Sequence, residues 1–316
     1  MACFHPIKAW RSRDGRNAET GKWPITFNCA NGYEDKEILV PCGQCVGCRL
    51  EKSRVWALRC FHESQLYDYS WFVTLTYADA PTSLQPDDFT KFMKRLRKKF
   101  GAGVRYFMCG EYGENFGRAH HHALLFNLPL DDLQYWSGSG QNRLYRSPTL
   151  EKLWPFGFVL VGSVTFESCA YVARYIMKKV TGDMALEHYV DKTTGEIRHP
   201  EYIRMSRRPG IGLNWLNQFK REVLAHDGMC FVNGMFVSIP RYYEDKLLLT
   251  DSEFVLTKKA QGAKFSREHY CVGDNHPDRL AVREECRLLS LRELTRPLES
   301  SLSNSSYVEL HKELKL

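Results

Sequence analysis

Residues 118–126 read RAHHHALLF, three histidines in front of an apolar run. On a β-strand successive side chains alternate between faces, so His120 and His122 share one face and His121 points to the other with Ala119 and Ala123. Two imidazoles on one face make a metal pair; a buried histidine cluster with ordinary hydrogen bonds is the other reading of the triplet. Glu111, in CGEYG, closes the preceding strand-like run, where an antiparallel partner would bring its carboxylate to the two histidines. By itself it would be a solvated charge. Two neutral imidazoles and one carboxylate, with coordination positions left over, suit Mg²⁺ or Mn²⁺ acting as a Lewis acid on a phosphate oxygen.

A second group lies downstream in ESCAYVARYIMKKVTG (167–182), a helical pattern carrying Tyr171 and Tyr175 followed by Lys178 and Lys179. Spacing of four stacks the phenols on one helix face, with a cation one turn further on able to reach a phosphate held against them. Such pairs also occur as amphipathic core residues with their hydroxyls at the rim. A third group, CGQCVGC, sets Cys42, Cys45 and Cys48 at successive x₂ spacings, which can place three thiolates around one zinc ion. Cys3 is the chosen fourth ligand, with His5 or Cys29 behind it; free cytosolic thiols are the alternative. The run KFMKRLRKKF (91–100) holds six cations, among them Lys94 and Arg97, on the outer face of an amphipathic helix. They are either a solvated face or a phosphate track, and the same choice applies to Arg207 and Arg208 of SRRPGIG.

The elements that must position these groups follow from periodicity. Residues 49–68 have helical spacing; YSWFVTLTYAD (69–79) is aromatic and β-branched and reads as a buried strand. PDDFTKFMKRLRKKFG (86–101) reads as a helix with acidic residues in its first turn and Gly101 as its stop. Residues 104–113 and 118–128 read as an antiparallel hairpin, 156–166 as a strand and 167–182 as a helix. The order implies an α+β domain with helices packed on a largely antiparallel sheet. The first sixty residues, punctuated by Gly15, Gly21, Pro24, Gly32, Pro41, Gly43 and Gly47, read as irregular and in need of a staple. Toward the C-terminus, 206–225 offers a turn and a helix, 232–243 a hairpin around Asn233-Gly234, 277–298 a helix, and 299–306 a polar mobile stretch.

The chain has 316 residues, 43% of them apolar and 13% aromatic, enough to fill a core. Its formal charge of +7 points to a polyanionic partner, nucleic acid first. No stretch approaches the ~18 apolar residues of a membrane span, and the N-terminus lacks a signal-peptide core. We therefore expect no membrane partner and residence in the host bacterial cytoplasm.

WFVTLTY (71–77), GEYGENFGRAHHHALLF (110–126) and AYVARYIMKK (170–179), in that order, resemble the three motifs of the HUH endonucleases, in particular the rolling-circle replication initiators of gokushovirus-type microviruses. PCGQCVGC and RRPGIG resemble segments of the same phage group. The resemblance implies that His120 and His122 bind the catalytic divalent ion with Glu111 as third ligand. It makes Tyr171 and Tyr175 the nucleophiles and Lys178 or Lys179 the phosphate contact; Arg174 keeps a charge where this class often has lysine. It further implies single-stranded DNA at a replication origin as substrate, a 5′-phosphotyrosine intermediate, and a 3′-OH left for a host DNA polymerase. No GxxxxGK[ST] loop occurs, so a helicase would come from the host. Two alternatives are a zinc-containing single-strand-binding protein without nuclease activity and a plasmid relaxase. Relaxases usually carry the tyrosine ahead of the histidines, unlike the order here. The expected organisation is a cysteine-rich region over 1–60, an HUH catalytic domain over 61–185, a C-terminal extension over 186–298 and a mobile tail over 299–316.

Overall fold

The computed structural model describes residues 3–18, 23–113, 117–174, 184–191, 194–269 and 271–291. They divide into two compact units, one from residues 1–51 and 270–316, the other Lys52–His269. Residues 175–183, and with them Tyr175, Lys178 and Lys179, lie outside the described residues, as do 292–316, which include the expected mobile tail.

In the first unit the region expected to be irregular holds a three-stranded antiparallel sheet, with β1 (Ile7–Ser12) between β2 (Ile25–Thr26) and β3 (Gly32–Val40). Gly15, Pro24, Gly32 and Pro41 fall at strand ends and turns, where they punctuate the pattern without preventing it. The β1–β3 register pairs Ile7 with Val40. It therefore brings the residues just before β1 beside those just after β3, which are Cys3 on one side and Cys42 on the other. A helical run over 277–291 belongs to the same unit and buries Leu280. The helix α1 (Val46–Ser64) starts in this unit and continues into the second.

The second unit is built on one seven-stranded antiparallel sheet. Its strands are β4 (Ser70–Thr76), β5 (Arg105–Tyr112), β6 (Ala119–Phe126), β7 (Gln134–Ser137), β8 (Leu144–Arg146), β9 (Val159–Ser163) and β10 (Tyr202–Met205). Their spatial order is β10-β5-β6-β4-β9-β8-β7. The expected strand, helix, hairpin, strand and helix are all present: α2 (Pro86–Phe100) follows β4, and α4 (Phe166–Arg174) follows β9, with α3 (Pro148–Leu153) between β8 and β9. All eight residues of β6 are buried, because helices cover both faces of the sheet at its centre.

The two faces are distinct. Phe89, Phe92, Met93 and Leu96 of α2, with Leu150 and Trp154, pack on Val73, Leu75, Met108, Ala123 and Leu125. On the other face Ala57 and Cys60 of α1 and Cys169, Val172 and Ala173 of α4 pack on Phe107, Cys109, Leu124 and Phe126. Past α5 (Met184–Tyr189) and β10, a third cluster joins α6 (Leu213–Gln218), α7 (Lys220–Ala225), the hairpin β11 (Met229–Val232)–β12 (Met235–Ser238), α8 (Arg241–Thr250) and α9 (Ser252–Glu268). Asn233 and Gly234 at the hairpin turn both have positive φ, 48° and 81°, the conformation this dipeptide favours. Among the described residues no helix is long and apolar enough to cross a membrane.

Candidate metal centre and nucleophile

The β5–β6 register sets Glu111 opposite His120, as an antiparallel hairpin requires. Side-chain alternation then puts Glu111, His120 and His122 on one face, all three buried. Glu111 Oε1 lies 2.8 Å from His120 Nε2 and 3.1 Å from His122 Nε2, and the two imidazole nitrogens are 3.1 Å apart. An octahedral ion with bonds near 2.1 Å holds cis donors about 3.0 Å apart. A tetrahedral site with similar bonds would spread them to about 3.4 Å. The trio therefore fits one face of a six-coordinate cation such as Mg²⁺ or Mn²⁺, with three positions left over.

Second partners orient the imidazoles. His120 Nδ1 sits 3.0 Å from the Arg118 carbonyl oxygen, which can only accept, so the proton is on Nδ1 and the Nε2 lone pair faces Glu111. His122 Nδ1 is 3.0 Å from Thr74 Oγ1, and β4 pairs Thr74 directly with His122. Burial pushes the Glu111 carboxyl up, but the two imidazoles against it outweigh burial and hold it well below the usual carboxylate range. The carboxylate is thus anionic at any physiological pH. His121 faces the other way, 3.1 Å from the Tyr202 hydroxyl and among Tyr77, Phe89 and Trp154. Burial, then the neighbouring His120 and His122, lowers its pKa to about 3, so it is a neutral core residue.

Tyr171 is on the trio's face. Burial of Cys169, Val172 and Ala173 sets the orientation of α4, and a reciprocal Thr165–Ser168 pair caps its start, with bonds of 2.9 and 3.2 Å. The Tyr171 ring meets His122 edge-on at 5.3 Å between centroids and Phe72 at 5.9 Å, while Phe72 lies nearly parallel to His122 at 5.5 Å. Phenol and imidazole, 49 positions apart in sequence, are in contact.

The other sequence-predicted residues are distributed differently. Arg174 is half-buried at the end of α4. Arg207 and Arg208 are exposed on the loop after β10. That loop is held from beneath: Gly212 N–H donates to Glu63 (2.6 Å), Arg105 to the Pro209 carbonyl (2.8 Å) and Arg59 to the Ile211 carbonyl (3.0 Å), while Glu63 pairs with Arg105. Ser206 bonds to Tyr106, five residues along β5 from Glu111, so the two arginines stand beyond about 16 Å from the trio. Lys94 is exposed on α2, on the sheet face opposite the trio, and Arg97 is committed to the Val104 carbonyl (3.2 and 3.1 Å).

In the first unit Cys3, Cys42, Cys45 and Cys48 converge, their sulfurs all within 4.8 Å of one another. Cys3 and Cys45 sulfurs are 3.9 Å apart, against about 3.8 Å for a tetrahedral site with 2.3 Å Zn–S bonds. Burial raises the Cys45 thiol, but N–H bonds from Phe4 and Cys48, helped by the Cys48 and Cys42 thiols, bring it down to about 6. The alternatives for a fourth ligand lie elsewhere: His5 bonds Glu284 at 2.5 Å and Cys29 is exposed.

Comparison with known proteins agrees with this geometry. A family model described as a replication-associated protein of the ORF2 type matches residues 70–180, the span that contains β4, the trio and Tyr171. The replication-associated protein VP4 of Bdellovibrio phage phiMH2K is 34% identical over 78% of this chain and 76% of its own length. The chain belongs to this family of phage replication-associated proteins. Within the family, the replication-associated protein ORF2 of Spiroplasma virus 4 is 29% identical over 95% of this chain and 99% of its own length. The replication-associated protein ORF4 of Chlamydia phage 1 is 29% identical over 72% of this chain and 60% of its own. No solved structure matches.

Sequence reasoning missed Thr74, although the alternation in WFVTLTY puts Thr74 and Thr76 on one face and a strand neighbour of the histidines was the place to look. A hydroxyl that fixes the tautomer of a ligating histidine tunes the site's affinity. Thr74→Val, which keeps the side-chain shape and removes the acceptor, should weaken Mn²⁺ binding about tenfold in calorimetric titration with the fold intact; unchanged affinity would mean Thr74 does not position His122.

Proposed function

We propose that the chain is a rolling-circle replication initiator of the HUH type, nicking one strand of a single-stranded origin through Tyr171. The contact between Tyr171 and His122 on the face shared with Glu111 carries this reading. His120, His122 and Glu111 would hold Mg²⁺ or Mn²⁺, which when bound polarises the scissile phosphate and offsets charge building on its oxygens. A phenol of pKa near 10 is a poor nucleophile at neutral pH, so the help must fall on the phosphate and on the developing phenolate together.

The step balances as a transesterification. Tyr171 Oη gives up its proton and forms a bond to phosphorus; the bond from phosphorus to the 3′-oxygen breaks, and that oxygen takes a proton to become a free 3′-OH. The phosphodiester is kept as a 5′-phosphotyrosine, so a later 3′-OH can attack it and close a circle. Phe72 and His122 confine the Tyr171 ring on two sides, which limits the orientations the phenol must give up before attack. Tyr175 serves as the second nucleophile, Lys178 or Lys179 and Arg174 as phosphate contacts, and a host polymerase and helicase extend and unwind the strand. Arg207 and Arg208, on their anchored loop, contact DNA outside the cleavage site.

The cysteine quartet we assign to structural Zn²⁺, which would tie the segment before β1 to the turn after β3 in a unit too small to rely on its own core. Metal analysis of the purified protein should find about one equivalent of zinc, lost when Cys45 and Cys48 are both changed to serine; undiminished zinc in that variant would place it elsewhere.

The nickase assignment predicts a covalent protein–DNA adduct when the protein meets single-stranded oligonucleotides tiling its replicon in Mn²⁺. Tyr171→Phe should cut adduct formation at least tenfold, and the Tyr171→Phe, Tyr175→Phe double variant should form none. Adduct persisting in the double variant would put the nucleophile outside these residues; none from the unaltered protein with any segment would favour a binding protein without cleavage.

A further inference from the structure

The trio's face of the sheet is covered by helices over only part of its width. The core on that face draws on β4, β5, β6 and β10, and none of its residues come from β7, β8 or β9. Four antiparallel pairings connect the metal centre to that half. Thr76 pairs with His120 and, through the Phe158 carbonyl, bonds the residue immediately before β9 at 3.0 Å. β9 pairs with β8 and β8 with the edge strand β7. Val159 lies in the core of the α2 face, so alternation turns Phe158 onto the trio's face. Beyond it, the Arg146 guanidinium stands over two rings at once, 5.9 Å from the Phe158 centroid and 5.3 Å from that of Trp136. Phe158, Arg146 and Trp136 are each half-buried, so one side of this strip meets solvent.

From β6 to β7 is four strand spacings, about 19 Å. Across that distance the face offers, in order, a threonine beside the metal ligands, an aromatic ring, a cation and a second aromatic ring. Sequence-tolerant single-strand binding uses this pattern, with ring faces for bases and fixed cations for the phosphates between them. Arg146 suits the part. Its Nε donates to Glu151 at 2.7 Å, which fixes the plane, and its terminal nitrogens have no partner among the described residues. An aliphatic strip would instead suggest a protein partner, and an uncharged aromatic one would lack a phosphate contact.

We propose that Phe158, Arg146 and Trp136 form a single-stranded DNA track leading across β9, β8 and β7 to the phosphate held at the metal centre. This rests on the nickase reading for what the track feeds, but it is tested by binding and not by cleavage. Tyr135 supplies an internal control: it is the neighbour of Trp136, 63% exposed, and on the opposite face, where Arg146's strand neighbour Tyr145 meets it edge-on.

The test is equilibrium binding of the full chain to a fluorescein-labelled 20-nucleotide oligothymidine in EDTA, where no cleavage intervenes. Trp136→Leu, Phe158→Leu and Arg146→Gln should each weaken binding roughly 5- to 100-fold, the loss expected for one stacked base or its phosphate contact. Tyr135→Ala should bind like the unaltered chain. If any one variant fails to fold, the other two decide. Unchanged affinity in the folded strip variants, or a loss confined to Tyr135→Ala, overturns the proposal. The nickase reading would survive that outcome if the unaltered chain still formed its covalent adduct with Mn²⁺, and would fall separately if oligothymidine binding depended on the strip but no adduct formed.

Discussion

Two imidazole lone pairs and a carboxylate oxygen, brought within 2.8–3.1 Å of one another in a buried place, repel unless a positive charge sits among them. That repulsion is the constraint on which the rest depends. The Arg118 carbonyl takes the outer proton of His120 and so leaves its inner nitrogen as a donor of electrons. Burial of Glu111 would favour its neutral acid, and the imidazoles prevent it. A strand pair in tight register, buried on both faces, holds the three groups against their mutual repulsion. Such an arrangement costs stability and makes sense as the preformed half of a cation's coordination shell.

The sheet converts this local constraint into a site. Alternation along β6 splits three adjacent histidines into two tasks, with His121 neutral in the aromatic core above α2 and its neighbours on the working face. The same parity places Thr74 and Thr76 beside the ligands, and α4, packed on that face through Cys169, Val172 and Ala173, delivers Tyr171 to His122. The basic outer face of α2 is on the wrong side to take part. A reading from charge alone would make that run the DNA track; the layers point instead to residues that look ordinary in sequence.

What was legible in the sequence depended on periodicity and spacing. The histidine parity, the Glu111–His120 pairing and the α2 stripe of Phe89, Phe92, Met93 and Leu96 follow from periods of 2 and 3.6, and the helices and strands appear where those periods place them. Cys3 was chosen from spacing alone, and the β1–β3 register supplies its physical reason. The three-stranded sheet itself was illegible because β3, GYEDKEILV, is charged and largely exposed, without an apolar alternation to betray it. β7, β8 and β10 are three or four residues long, below the length at which a pattern rises above chance. Arg97 looked like one of six equivalent cations; only the fold reveals that its guanidinium closes the turn after α2 on the Val104 carbonyl.

The central claim is a location: one divalent cation among His120 Nε2, His122 Nε2 and Glu111 Oε1, beside the Tyr171 ring. Anomalous diffraction from crystals grown with Mn²⁺ measures it directly. The account predicts a strong manganese peak about 2.1 Å from all three atoms, vanishing in His122→Ala. A manganese peak bound elsewhere in the protein, with the trio closed on itself by protons, would contradict it.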